Sequence, residues 1–406
     1  MKHSRLPRLR ARLDSVYRLQ SPSGVGAWVI DEPGPPVLRW HVALPPVLGR
    51  GWAAKALSCE LGRVLSRTGA RVTGRCGHVI VSADHTCAVA LETIQAAIEN
   101  LEPPALASVA RRAAGRRLSL RELTADAAFR QLRPNAADAA PLPDLPEEPG
   151  RVLATCSVGL GRADSWTLVL SNAWADEFTR TYQAHPEPSP GPMASEGLAQ
   201  SPNHAVRFVG VPGHPWASVR MIAEIPPIGA AAGPYALVAA LLRTRLERTV
   251  RSHSYLLDVV IDIADRCMIV VGEPAAERVP AFLRGFGKTM DSLNSGRIRA
   301  GELTRGRENA LVEWSLRAYG LEGMADILSD MVLIGRTASD LDALIDNLET
   351  DIAPEDMEQV LTHFSGIVAV DAEDMAGVDW FHMSPNRNRV SPATRNKPSR
   401  GMREGL

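Results

Sequence analysis

The sequence predicts an α+β protein of two tandem homologous domains, each a mostly antiparallel sheet covered on one face by helices. Three observations carry this. Strand patterns come first and helical patterns follow, without the strict alternation of a parallel α/β sheet. The same order of elements occurs twice along the chain, as a duplication requires. Between the two copies, residues 185–203 read HPEPSPGPMASEGLAQSPN, where Pro, Gly and Ser replace any apolar periodicity. The expected organisation is therefore a domain over 1–184, a linker over 185–203, a second domain over 204–383, and a polar, basic, Pro-containing tail over 384–406 that is expected to be disordered.

In the first half, period-2 and β-branched runs place strands near 26–31 and 37–44, and a helix follows over 52–67. A strand pair over 71–82, a helix over 88–101, further helices over 106–132 and a closing strand at 166–171 complete it. The second half repeats the series. Strands are expected near 206–211 and 216–225, then a helix opening at Tyr235, a strand pair over 255–271 and a helix over 276–293. Helices over 302–364 and a closing strand at 367–371 end it.

Composition excludes several classes. The chain has 406 residues, a formal net charge of -1, 45% hydrophobic and 22% charged residues, and so reads as a globular protein of about two to three domains. Near-cancelling charge argues against counterion-driven nucleic-acid binding. No apolar run approaches the roughly 20 residues that cross a bilayer. The opening MKHSRLPRLRARLDSV lacks an apolar segment after its charges, so it does not read as a secretory signal, and a cytoplasmic location is expected. Five cysteines (Cys59, Cys76, Cys87, Cys156, Cys267) are odd in number and widely spaced within apolar stretches, which reads as reduced core thiols.

The stretch from Tyr235 to Gly272 joins a cationic helix end to a strand opening on a tyrosine, a place suited to holding a peptide. Leu237, Val238, Leu241, Leu242, Leu246 and Val250 follow helical spacing and define a buried face. Arg243, Arg245, Arg248 and Arg251 lie elsewhere around the cylinder, and the cationic last turn suits the negative end of the helix dipole. An arginine there ordinarily serves that dipole, and a tyrosine opening a strand ordinarily packs on the core.

Two tandem α+β halves of this size resemble the pitrilysin/insulinase (inverzincin) metallopeptidases, especially the subunits of about this length that work in pairs. The similarity is greatest over 206–371, where Thr244-Arg245-Leu246, Arg251 and Tyr255 stand where the family has Ser-Arg-Leu, an Arg and a Gly-Leu-x-Tyr, and a helical tail follows over 301–364. A weaker match covers 17–171. Three residues separate Arg251 from Tyr255, a shorter connection than the family's.

The zinc motif of that family, His-x-x-Glu-His, is absent. With Glu60 at the motif's glutamate, the two ligand positions hold Leu57 and Leu61, neither able to bind a metal. Where the family supplies a third ligand, Arg111, Arg112, Arg116 and Arg117 precede the first acid, Glu122. The arginine cluster from Arg111 to Arg121 reads as a solvated face or a peptide- or partner-facing patch. The resemblance thus implies a non-catalytic subunit, with no metal of its own, paired with a homologous zinc-bearing subunit. Arg251 and Tyr255 would hold the peptide substrate and support the oxyanion in the partner's site, with His253 and Arg245 as possible auxiliaries. A precursor or leader peptide is the expected substrate class. An inert homologue used for complex assembly is the alternative. A self-contained hydrolase using Cys59 or Cys87 with His78 or His85 has no evident base in its favour.

Overall fold

The computed structural model describes residues 6–47, 49–84, 86–87, 89–109, 148–187, 206–210, 215–295, 298–350 and 364–370, with residues 119, 121, 124, 128, 352, 356, 357 and 360. Its first half runs α1 (Leu6–Asp14), β1 (Val16–Gln20), β2 (Gly26–Ile30), β3 (Leu38–Ala43), α2 (Arg50–Val64), β4 (Arg71–Arg75), β5 (His78–Ala83), α3 (Leu91–Glu99), α4 (Pro149–Leu160), β6 (Trp166–Ser171), α5 (Asn172–Tyr182) and β7 (His185–Glu187). The second half runs β8 (Val206–Gly210), β9 (Ser218–Glu224), α6 (Gly233–Thr249), β10 (Ser254–Asp262), β11 (Cys267–Pro274), α7 (Val279–Asn294), α8 (Ala300–Arg317), α9 (Gly320–Leu333), α10 (Ala338–Glu349) and β12 (Ser365–Val370).

The duplication is visible in the sheets. Their orders are β4-β5-β3-β6-β2-β1-β7 and β10-β11-β9-β12-β8, so five strands of the first match the five of the second one for one. In each, one neighbouring pair is parallel, β2 with β6 and β8 with β12, and the others are antiparallel. The expected α+β class and repeated order are both present. The first three residues of the expected linker form β7, antiparallel to β1; residues 188–203 and the tail lie outside the described residues.

Each half builds a core between its sheet and its own helices, and then lends a helix to the other half. Trp40, Trp52, Leu57, Leu61, Leu91, Ile94 and Phe178 lie in the first core. In the second, Leu237, Leu241, Leu246, Phe282, Phe286 and Leu344 gather under β9 to β12. The other face of the first sheet is covered by α9, which packs on β2, β3 and β6. This explains why β2 is buried at every residue and β3 at all but its last, where one-sided coverage would leave alternate positions wet. Reciprocally, Thr124 Oγ1 and Ser218 Oγ share a buried hydrogen bond at 2.8 Å, and Ala128 packs on Ile222 and Cys267.

Polar ties between halves surround these contacts. Arg39 on β3 donates to Asp326 of α9 through Nε at 2.9 Å and Nη2 at 2.8 Å. His41 Nε2 and Ser329 Oγ are 2.9 Å apart. The two hairpin tips meet where Arg75 bonds Asp262, Asp265 at 3.1 Å and Asp330 at 3.2 Å. The first tip is a two-residue turn, with Cys76 at φ 50 and Gly77 at φ 70, the pair of positive dihedrals that a type I′ hairpin demands. Helix α1 docks on the second half: Leu9 and Leu13 enter its core, and Arg10 pairs with Asp342, Asp346 and Glu349.

The thiols correct one expectation. Cys156 and Cys267 are buried, but Cys59 is exposed and Cys76 and Cys87 are half-buried, so only two of the five are core residues. No helix among the described residues is long and apolar enough to cross a membrane.

Candidate functional site

Helix α6 delivers the chain to the site. Gly233 and Pro234 open it, its apolar residues are buried as their spacing requires, and a short turn of 3-10 helix over Arg251–His253 leads into β10. The arginines on its other flank are engaged. Arg243 Nη1 pairs with Glu313 at 2.6 Å, and its Nη2 bonds the Val259 carbonyl. Arg245 binds Glu302 with Nε at 2.6 Å and Nη2 at 2.9 Å, and Ser292 Oγ at 3.1 Å. That fork holds the Glu302 carboxyl below the usual range and makes Arg245 a tie between α6 and α8.

Arg251 and Tyr255 lie together. Arg251 is exposed, and its Nη1 reaches the Tyr255 carbonyl at 3.5 Å, the long limit of a hydrogen bond. Tyr255 is 75% exposed, because the strand is bulged there: Ser254 pairs with Pro274 and Leu257 with Gly272, so three steps on β10 oppose two on β11. Ser254 locks the bulge, its Oγ donating to the Leu256 carbonyl and accepting the Glu273 N–H at 2.8 Å. Among the described residues strand β10 ends its sheet, with the Val259 carbonyl taken by Arg243 and the Ile261 carbonyl by Arg317 Nη1 at 2.8 Å. His253 is half-buried, and its Nδ1 has no hydrogen-bond partner among the described residues.

Trp216 completes the surface. It is 50% exposed, and its ring lies 6.1 Å from that of Tyr255 at 51°. The two rings roof a cavity of about 640 Å³ lined by Ser119 and Arg121 from the first half and by Trp216, Ala217, Ser218, Tyr255 and Glu273 from the second. Arg121 grips Glu273 with Nε on Oε1 and with Nη2 on Oε2 at 2.7 Å. Of the arginine cluster read from the sequence, Arg121 is the described member; Arg111, Arg112, Arg116 and Arg117 lie outside the described residues.

The helix at the zinc-motif position has a different job. Leu57 and Leu61 of α2 are 0% exposed, inside the first core, and Glu60 is bridged to Arg63 at 2.6 Å. Among the described residues no group of three His, Cys, Asp or Glu is placed to hold a metal ion.

No protein-family model matches the sequence, and no curated protein matches it. Solved structures do. A peptidase M16 inactive domain from Pseudomonas fluorescens matches at TM-score 0.60 and 13% identity, covering 88% of this chain and 98% of that one. The fold is that of M16-type peptidases. An M16-like peptidase structure from Alicyclobacillus acidocaldarius matches at TM-score 0.63 and 9% identity, over 88% of this chain and 98% of that one. A chain of complex III2 from Candida albicans matches at TM-score 0.64 and 12% identity, over 88% and 96%. The M16 fold therefore spans both halves, as the resemblance over 206–371 and, more weakly, over 17–171 implied. Sequence reasoning missed Trp216, Ser218, Glu273 and the pairing role of Arg121. Trp216 reads as one more apolar strand residue, and only the bulge at Tyr255 turns it into half of an exposed aromatic pair.

Proposed function

We propose that this chain is a metal-free M16-fold subunit that binds an extended peptide and presents it to a zinc centre in a homologous partner. The observation that carries the reading is the bulge at Tyr255. It lifts a phenol out of the end strand of the described sheet, beside the Arg251 guanidinium and an open cavity. A peptide can add to the edge of β10 at its Tyr255 end through main-chain hydrogen bonds while its side chains enter the neighbouring cavity. A phenol and a guanidinium are donors suited to a carbonyl oxygen that gains negative charge in the partner's site. Leucines buried at the two metal-ligand positions of α2 support the assignment of zinc to the partner. The substrate is a precursor or leader peptide, processed in the cytoplasm.

An assembly role without peptide binding is the second reading, favoured by the shared fold of a complex III2 chain. The test is reconstitution with a homologous protein bearing His-x-x-Glu-His. Peptide cleavage with zinc is expected only when both chains are present. Cleavage by the isolated chain would sink the reading, and a stable complex in which this chain neither binds peptide nor raises the partner's activity would establish the assembly role instead.

A further inference from the structure

The duplicated fold supplies an internal control for one buried arginine. Arg39 and Arg220 occupy matching places, each on the central strand of the shared five, and each is 7% exposed. Each donates through Nη1 to the carbonyl of the preceding residue at 3.1 Å, Leu38 in one and Val219 in the other. Arg39 is neutralised by two hydrogen bonds to Asp326. Among the described residues no carboxylate lies within ion-pair range of Arg220. Burial depresses its pKa, Glu273 acting against that and Arg121 with it.

Arg220 stands on the face of β9 that also carries Ser218, two residues away, and Ser218 lines the cavity. Beside that cavity, then, two guanidinium groups share one carboxylate. Glu273 has both oxygens on Arg121, so it has little left to offer a cation. Arg121 has donors to spare: Nε and one Nη2 hydrogen are spent on Glu273, while Nη1 and the other Nη2 hydrogen have no partner among the described residues. Its side chain is 59% exposed, so that edge is reachable.

We propose that the cavity takes a carboxylate, the side chain of a glutamate or aspartate in the bound peptide, on the open edge of Arg121 with the charge of Arg220 behind it. The Trp216 and Tyr255 rings lie beside the aliphatic stem of that side chain. This rests on the peptide-binding reading and adds a side-chain preference to it.

The probe is a set of three fluorescein-labelled ten-residue peptides of alternating Val and Ser, identical except for Glu, Gln or Lys at one central Ser position. Affinity for the full chain is read by fluorescence anisotropy at low salt. The Glu peptide should bind about tenfold more tightly than the Gln peptide, as a charge-assisted contact at a partly exposed site implies, and the Lys peptide least tightly. Arg121→Ala, at an exposed position, should abolish the Glu preference, because the remaining Glu273 and Arg220 charges offset each other. Equal binding of all three overturns the acidic preference and leaves peptide binding intact. A Lys preference in the native chain also overturns it. No binding by any of the three overturns peptide binding itself, and the inference with it.

Discussion

Arg75→Ala tests how the two halves are locked together. The guanidinium sits between the two hairpin tips and bonds Asp262, Asp265 and Asp330, with side-chain exposures of 34% for Arg75 and 24%, 28% and 23% for the three acids. Removing it leaves three carboxylates crowded together without a counter-ion. A fully buried pair broken on one side loses roughly 3–5 kcal/mol, and an exposed pair under 1 kcal/mol; for this partly exposed cluster the loss should be about 2–4 kcal/mol at pH 7. Acid should shrink that loss. Burial already raises Asp330 to about 6, and Arg75 is the strongest influence holding it down. The folded state therefore takes up a proton, as pH falls from 7 toward 5, that the unfolded state does not. In the native chain this favours folding by about 1 kcal/mol over that interval; without Arg75 the uptake begins at higher pH and relieves more repulsion. Urea unfolding at pH 7 and pH 5 reads both quantities, and in the variant the two halves should begin to unfold separately. A loss below about 0.5 kcal/mol at pH 7, or one that grows on acidification, would refute the reasoning.

Arg245→Ala should cost about 1–3 kcal/mol in urea unfolding, because Glu302 loses its partner, and leave peptide binding unchanged. In the native chain the Arg245–Glu302 contribution is present above the ordinary glutamate pKa of 4.5 and should fade as pH drops below it, since Glu302 is depressed when folded. Leu57→His should destabilise by about 3 kcal/mol or more, since it puts an imidazole at a fully buried core position, and the variant should show no gain in zinc binding by calorimetry. His41 is buried and held down to about 3, so its ring signals in NMR should stay constant from pH 8 to pH 5. Arg10→Ala should cost no more than about 1 kcal/mol globally yet speed amide exchange across α1, whose polar hold on the second half is shared between that side chain and Arg12.

Much of the fold was legible because the duplication repeats strong local signals. β5 and β11 are apolar and β-branched, α6 is apolar over 236–242, and Leu57 and Leu61 stand where ligands would. What escaped depends on contacts between distant residues. Helix α1 is short and rich in arginine, and its apolar face is matched only by the second half, with Arg10 and Glu349 separated by 339 positions. β1 buries Leu19 alone, so it lacks the alternation that marks a strand. The tie of Arg245 to Glu302 was hidden because Glu302 lies 57 residues on. The exposed Trp216 and Tyr255 rings follow from one extra residue in β10, and no periodicity announces a bulge. Thus the apolar pattern revealed each half, while the site arises where two halves and a strand irregularity meet.

The most direct measurement of the central claim is kcat/KM for peptide cleavage by the reconstituted pair, comparing the native chain with the doubly substituted Arg251→Ala, Tyr255→Phe chain. Loss of two oxyanion-supporting donors predicts a fall of about 100-fold or more, with complex formation and zinc content of the partner unchanged. Native kcat/KM from the substituted pair would contradict the account.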